Sequence, residues 1–255
     1  MVTAGTSRPL PLFPAGTAVS HLAVYDSAGP DGCRGGSAHV HLACTEGYVV
    51  VGGTGRLQTL SAEGFAETPL TPFTVAWFSP GVIHRLINDG DLQIVVVMQN
   101  GGLPEAGDAV LTFPPEHLTD PQTYSRAASL ADSEKVYADG ADAAERRKEL
   151  AVRGFLALRQ QVEAHGAVAL EWFYAAAAEL VRARVPAWRE RWENGSLAAA
   201  RRTGDHLAAL ERGDASHLRE GELNVLDPPE SRKYGMCGRL ATYELPTGKG
   251  GPVDD

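Results

Sequence analysis

A chain of 255 residues, 44% hydrophobic and 22% charged, is long enough to bury a substantial core. Its formal charge of −9 argues against nucleic-acid binding by bulk electrostatics, and no apolar run approaches the length a bilayer demands. The three cysteines, Cys33, Cys44 and Cys237, are far apart and form no CxxC pair, so neither a disulfide framework nor a zinc knuckle is indicated.

In chain order, the opening stretch MVTAGTSRPLPLFPAG has no continuous apolar segment of signal-peptide type, and a cytoplasmic location is expected. From Ala18 to Phe113 short apolar runs rich in β-branched residues alternate with Gly, Pro, Asn and Asp, which predicts antiparallel β-structure, sandwich or barrel. Within INDGDLQIVVV the Asp-Gly pair predicts a tight hairpin. Trp77 and Phe78 are expected to pack the region ahead of the Pro80-Gly81 turn, and Cys44 to be a small buried side chain. GGTGRL lacks the Lys-Ser/Thr of a phosphate loop and is rejected as one.

After Pro115 the period changes. ADAAERRKELAVRGFLALRQQVEAHG places Leu150, Phe155, Leu158 and Val162 at helical spacing, with Gly166 as its end. The DAAERRKEL cluster reads as a solvated face with i,i+4 pairing. AVALEWFYAAAAELVRARV predicts a second helix stopped near Pro186. SLAAARRTGDHLAALERG predicts a third, capped by Ser196 and ended by Gly213. His117, His165, His206, His217 and His21 stand without ligand partners at metal spacing. The organisation is a β unit over 1–115, a helical extension over 116–225 and a tail over 226–255. The tail's RKYGMCGRLATYELP run reads as a strand that returns to the β unit or to a partner subunit.

One segment of the β region carries chemistry. His39 and His41, two apart on a strand, point to one face, and Ala38, Val40 and Leu42 to the other. Their neutral ring nitrogens suit Zn, Fe, Ni or Cu. Glu46, sharing a face with Tyr48 and Val50 on the next strand, is placed to turn back to the same point. In WFSPGVIHRLIND, His84 opens a strand after the Pro80-Gly81 turn. If that strand lies opposite the first pair, it completes a three-histidine, one-carboxylate set, which leaves coordination positions for water or substrate.

The two segments, in this order, resemble the two motifs of the cupin superfamily. His39, His41, Glu46 and Gly53 match the last four elements of the first motif; Cys33 stands where its leading glycine belongs. Gly81, His84 and Asn88 match the second, with Ser79 in place of its first proline and Phe73 in place of its leading glycine. These departures touch turns and spare all four ligands. The resemblance covers residues 18–113. It implies a mainly β jelly-roll barrel of cupin type, followed here by an α-helical C-terminal region.

It also implies one divalent transition metal ion, Fe, Mn, Ni, Zn or Cu, held by His39, His41, Glu46 and His84. Asn88 is expected to fix the turn after its strand. The expected function is that of a metal-dependent enzyme acting on a small polar organic molecule, a dioxygenase in the first instance. A sugar- or metabolite-sensing protein without catalysis and an isomerase or epimerase are the alternatives. Tyr48 is a candidate catalytic or substrate-contacting residue and Met98 a candidate substrate contact, against the plainer reading of both as core. Expected partners are a small-molecule ligand and, since cupin barrels commonly pair, a second copy in a homodimer. Neither nucleic acid nor membrane is expected.

Overall fold

The computed structural model describes residues 12–130 and 141–243. The N-terminal stretch through position 11 and the tail beyond position 243 lie outside the described residues. The β region consists of β1 (Ala18–Val24), β2 (His39–His41), β3 (Glu46–Ser61), β4 (Gly64–Leu70), β5 (Val75–Phe78), β6 (Ile83–Met98) and β7 (Ala109–Leu111). Two late strands, β8 (Lys233–Tyr234) and β9 (Gly238–Thr242), join the same sheet. The hydrogen-bonded order is β4-β3-β6-β1-β9-β8, with β2 between β6 and β7, and β5 on β3. Every pairing is antiparallel. The path does not close on itself. The arrangement is a nine-stranded antiparallel sheet that stays open, where a barrel was expected.

The expected Asp-Gly hairpin is absent. β6 runs unbroken through Asn88-Asp89-Gly90 and pairs with β3 from Glu46↔Met98 to Leu60↔Ile83. The polar triplet is absorbed by register shifts between Val50 and Gly55 on the facing strand, bulges that bend and twist the pair. Gly53 has φ 68° there, and a Cβ on it would lie 2.1 Å from the Asp91 carbonyl oxygen. Asn88 holds the irregular stretch: its Oδ1 accepts from the Gly90 and Leu92 amides at 3.1 Å, and its Nδ2 donates to the Val24 carbonyl at 3.1 Å. A side chain that satisfies the backbone locally removes the need for a turn.

Strand period also corrects Trp77. On β5 it alternates with Phe78, and the sheet buries Phe78 while leaving Trp77 74% exposed.

The helical region contains α1 (Pro121–Ala128), α2 (Ala141–His165), α3 (Glu171–Val181), α4 (Val185–Trp192) and α5 (Ala198–Glu211). Asp120 caps α1 by accepting from the Gln122 and Thr123 amides at 3.0 and 2.9 Å. Gly166, at φ 75°, follows α2 as the sequence indicated. Pro186 starts α4 instead of stopping a helix, because a proline in the first turn gives up an amide hydrogen that has no intrahelical partner. Ser196 caps nothing. It lies in a π-turn, and its Oγ donates to the Gly16 carbonyl at 3.1 Å.

The apolar core runs without interruption from Leu22, Val50 and Ile94 of the sheet to Phe155, Phe173 and Trp188 of the helices. Phe155 is fully buried, and its truncation to Ala would cost about 3–5 kcal/mol. α2 lies close against the end of β7. Gly154 has no room for a Cβ beside the Thr112 carbonyl, and Thr112 Oγ1 donates to the Ala151 carbonyl at 2.7 Å.

That docking overturns the reading of DAAERRKEL as a solvated face, because Arg147 and Lys148 are buried. Lys148 Nζ pairs with Glu145 at 2.6 Å and donates to the Ser27 carbonyl at 3.1 Å and to the Ser27 hydroxyl.

Candidate metal centre

β2 is three residues long, and its partners on both sides aim its two histidines. His39 is the cross-strand partner of His84 on β6, and His41 faces Ala109 on β7. Glu46 is the first residue of β3, directly opposite Met98. The turn before β6 is tied down twice: the Gly81 amide donates to the His41 carbonyl at 3.0 Å, and Tyr174 Oη of α3 donates to the Gly81 carbonyl at 2.8 Å.

The result is one cluster. Single donor atoms of His39, His41, Glu46 and His84 all lie within 4.8 Å of one another, and all four side chains are buried. His84 Nε2 stands 3.0 Å and His41 Nε2 3.3 Å from Glu46 Oε2.

The donor chemistry supports a cation. Each imidazole has an acceptor at Nδ1: the Ser37 carbonyl for His39 at 3.0 Å, Asp108 Oδ2 for His41 at 3.0 Å, and the Val82 carbonyl for His84 at 3.1 Å. In the neutral rings those acceptors keep the hydrogen on Nδ1 and leave the Nε2 lone pair free. His84 Nε2, whose ring hydrogen the Val82 carbonyl holds on Nδ1, is buried facing Glu46 Oε2 at 3.0 Å with no hydrogen between them, a costly arrangement that a shared ion would relieve. Donors about 2.0–2.2 Å from one ion stand roughly 3–4 Å apart. The cluster therefore needs at most a small inward shift, and these four residues could hold a metal ion. Nitrogen and carboxylate donors in this mix suit several transition metals, and the identity of the ion is unknown.

Electrostatics inside the cluster are uneven. Burial, followed by the two neighbouring imidazoles, pushes His39 well below its usual range, so it stays neutral. Burial also pulls His41 down, but hydrogen bonds to Asp108 and Glu46 outweigh it and raise the group to about 9. Burial raises the Glu46 carboxyl, yet the His41 and His84 ring nitrogens against it hold it well below the usual carboxylate range. Without a cation the site holds a proton on His41 between two carboxylates, and an incoming ion must displace it.

His39, His41 and Glu46 line a cavity of about 320 Å³. Leu22, Val96, Met98 and Leu240 supply apolar wall, and Glu105, Arg147 and Cys237 contribute polar groups. A second hollow of about 440 Å³ lies against Pro228, Pro229 and Tyr243, and no cluster residue lines it.

Met98 is thus on the cavity wall. Tyr48 is not among the lining residues. It is buried behind the cluster, its ring 5.4 Å from Phe78 and 6.4 Å from His84, and burial together with the Glu46 charge raises its phenol well above the usual range. Cys44 is a small buried side chain, as anticipated.

Sequence reasoning missed Asp108, which fixes His41 and accepts from the Ala43 amide at 2.7 Å. It also missed Arg147 and the 234–243 segment as cavity wall. That segment is held by β9 pairing with β1, from Ser20↔Thr242 to Val24↔Gly238. Asp108 carries no local signal; Arg147 had one, a charge at a core-facing helical position, and the RKYGMCGRLATYELP run was expected to return to the β unit as a strand, as β9 does, although not as cavity wall.

Fold and site together define a protein with a nine-stranded antiparallel sheet, a helical C-terminal region and a buried cluster of three histidines and one glutamate. No family model and no curated protein matches the chain. Similar solved structures include a Klebsiella pneumoniae protein with a double-stranded β-helix domain, at 18% identity, 40% of this chain, 83% of that chain and TM-score 0.29. A Streptomyces nucleoside dehydratase solved with uridine is similar at 17% identity, over 37% of this chain and 63% of that one, TM-score 0.26. A predicted oxalate decarboxylase from Thermotoga maritima follows at 19% identity, 32% of this chain, 64% of that chain and TM-score 0.25. The chain thus spans under two thirds of the length of the last two.

Among the described residues no helix is long and apolar enough to cross a membrane.

Proposed function

We propose that the protein is a mononuclear metal enzyme that transforms a small polar organic molecule in the 320 Å³ cavity, with dioxygenation as its reaction. The observation that carries this reading is the convergence of three Nδ1-anchored imidazoles and one carboxylate, of which His39, His41 and Glu46 line a cavity large enough for a substrate. When bound, a divalent transition ion supplies Lewis acidity there and, if it is redox-active, electrons for dioxygen chemistry.

The chain's own residues do the rest. Asp108 and the Ser37 and Val82 carbonyls hold the three rings in one tautomer and orientation. Leu22, Val96, Met98 and Leu240 keep bulk water from the substrate. Glu105 is placed to accept a proton, although its Oε2 is engaged by the Gly102 amide at 2.8 Å.

That engagement favours a second reading, a binding or sensing protein without turnover, because Glu105 is the one carboxylate outside the cluster on the lining among the described residues, and one of its oxygens is already taken. The test is to load metal-free protein anaerobically with ferrous iron and follow oxygen uptake on catechol, thiol and diketone panels. Uptake with a defined product supports the enzyme. Tight ligand retention without turnover supports the sensor. We also propose a homodimer in solution; a monomer by light scattering at micromolar concentration would refute it.

A further inference from the structure

We infer that the cavity takes a small organic carboxylate whose charged group is met by Arg147 of α2. The inference deepens the metal-site reading and rests on it only for the other end of the ligand. Arg147 lines the same cavity as His39, His41 and Glu46, yet it comes from a helix far along the chain. It is 8% exposed, and no carboxylate pairs with it among the described residues. Its Nη2 donates to the Gly235 carbonyl at 2.6 Å, and its Nη1 reaches the Ala128 carbonyl only at 3.5 Å. Its Nε is buried with no hydrogen-bond partner among the described residues, and the neutral Tyr25 hydroxyl beside the guanidinium supplies no counter-charge. A guanidinium withdrawn from water without a counter-charge is destabilising, so a fold that keeps one on a cavity wall needs the anion from elsewhere.

A purely structural role explains little of this. The Gly235 carbonyl that Arg147 meets already accepts from Tyr25 Oη at 2.8 Å, so the 234–243 segment is tied at that point without the cation. A neutral donor would serve there equally well.

The anion's class follows from the lining. Among the described residues Arg147 is the single arginine or lysine on the wall, and the carboxylates of Glu46 and Glu105 line it too, so a monoanionic group fits better than a phosphate dianion. A planar guanidinium matches a carboxylate in two-point geometry that lysine cannot copy. A carboxylate held there leaves the remainder of the molecule in the cavity that the His/Glu cluster lines.

The test uses full-length protein, metal-free and zinc-loaded, with acetate, oxalate, malonate and benzoate against their neutral amides. Calorimetry and thermal shift are the readouts. At least one carboxylate should bind and raise Tm while its amide does not. Arg147→Gln should weaken that binding by about thirtyfold or more. Arg147→Lys should restore only part of it, and zinc affinity should change by less than about threefold in both variants.

The inference is overturned if no carboxylate outperforms its amide on the wild-type protein, a result that needs no variant to fold. It is also overturned if Arg147→Gln or Arg147→Lys binds carboxylates as the wild type does. If the protein takes up no zinc but binds carboxylates through Arg147, the metal reading falls and this one stands. If zinc binds and Arg147 proves indifferent, the reverse holds.

Discussion

Replacing Asp108 by Asn tests whether the histidine geometry is set from behind the cluster. Asp108 is fully buried and serves two donors, the Ala43 amide at 2.7 Å and His41 Nδ1 at 3.0 Å. Asparagine has one carbonyl oxygen for those two donors. With that oxygen on the Ala43 amide, its NH2 faces His41 Nδ1 and drives the ring hydrogen to Nε2, the atom that should face the ion. Loss of such an outer partner typically lowers metal affinity about 10–100-fold, or about 1.4–2.7 kcal/mol.

An opposing effect makes the prediction sharper. In the wild type the proton on His41, held to about 9, competes with metal at pH 7, a handicap of about a hundredfold. Asp108→Asn removes one of the two carboxylates that retain that proton, so the variant is relieved of part of the handicap. The deficit in zinc affinity should therefore be full at pH 9 and smaller at pH 7. Chelator competition at both pH values, with circular dichroism to confirm folding, measures it. Equal affinity at pH 9, or a deficit larger at pH 7 than at pH 9, would refute the reasoning.

Metal-free protein should be most stable near pH 6.5 in urea titrations. His41, raised above 6.5, contributes stability that is full below 6.5 and lost as pH climbs through 9, by up to about 3 kcal/mol. His39, lowered below 6.5, contributes stability above 6.5 that is lost as pH falls; stability rising steadily from pH 6.5 to 9 would contradict the His41 assignment, and stability undiminished as pH falls below 6.5 would contradict the His39 one. Gly53→Ala places a Cβ on the Asp91 carbonyl at a left-handed φ and should destabilise by about 1–3 kcal/mol; an unchanged Tm would show that the bulge is not needed. Glu46→Gln removes the only anionic donor of the cluster and should lower zinc occupancy by elemental analysis after dialysis, while His165→Gln, far from it, should not.

What could be read from the sequence was local. Two histidines at a spacing of two must share a strand face, and glycines at turns, bulges and helix ends mark positions that side chains resist. These are short-range steric rules, and they located His39, His41, Glu46 and His84 along with the change from strand to helix. Pairing and docking decided the remainder. Asn88 turned an apparent hairpin signal into a bulge because β3 was long enough to pair on both sides of it. The charge run of α2 became cavity wall because Gly154 allowed that helix to sit against β7. Asp108 and the 234–243 segment reached the site from elsewhere in the chain, since contacts between distant residues depend on how layers pack and leave no period in the sequence that encodes them.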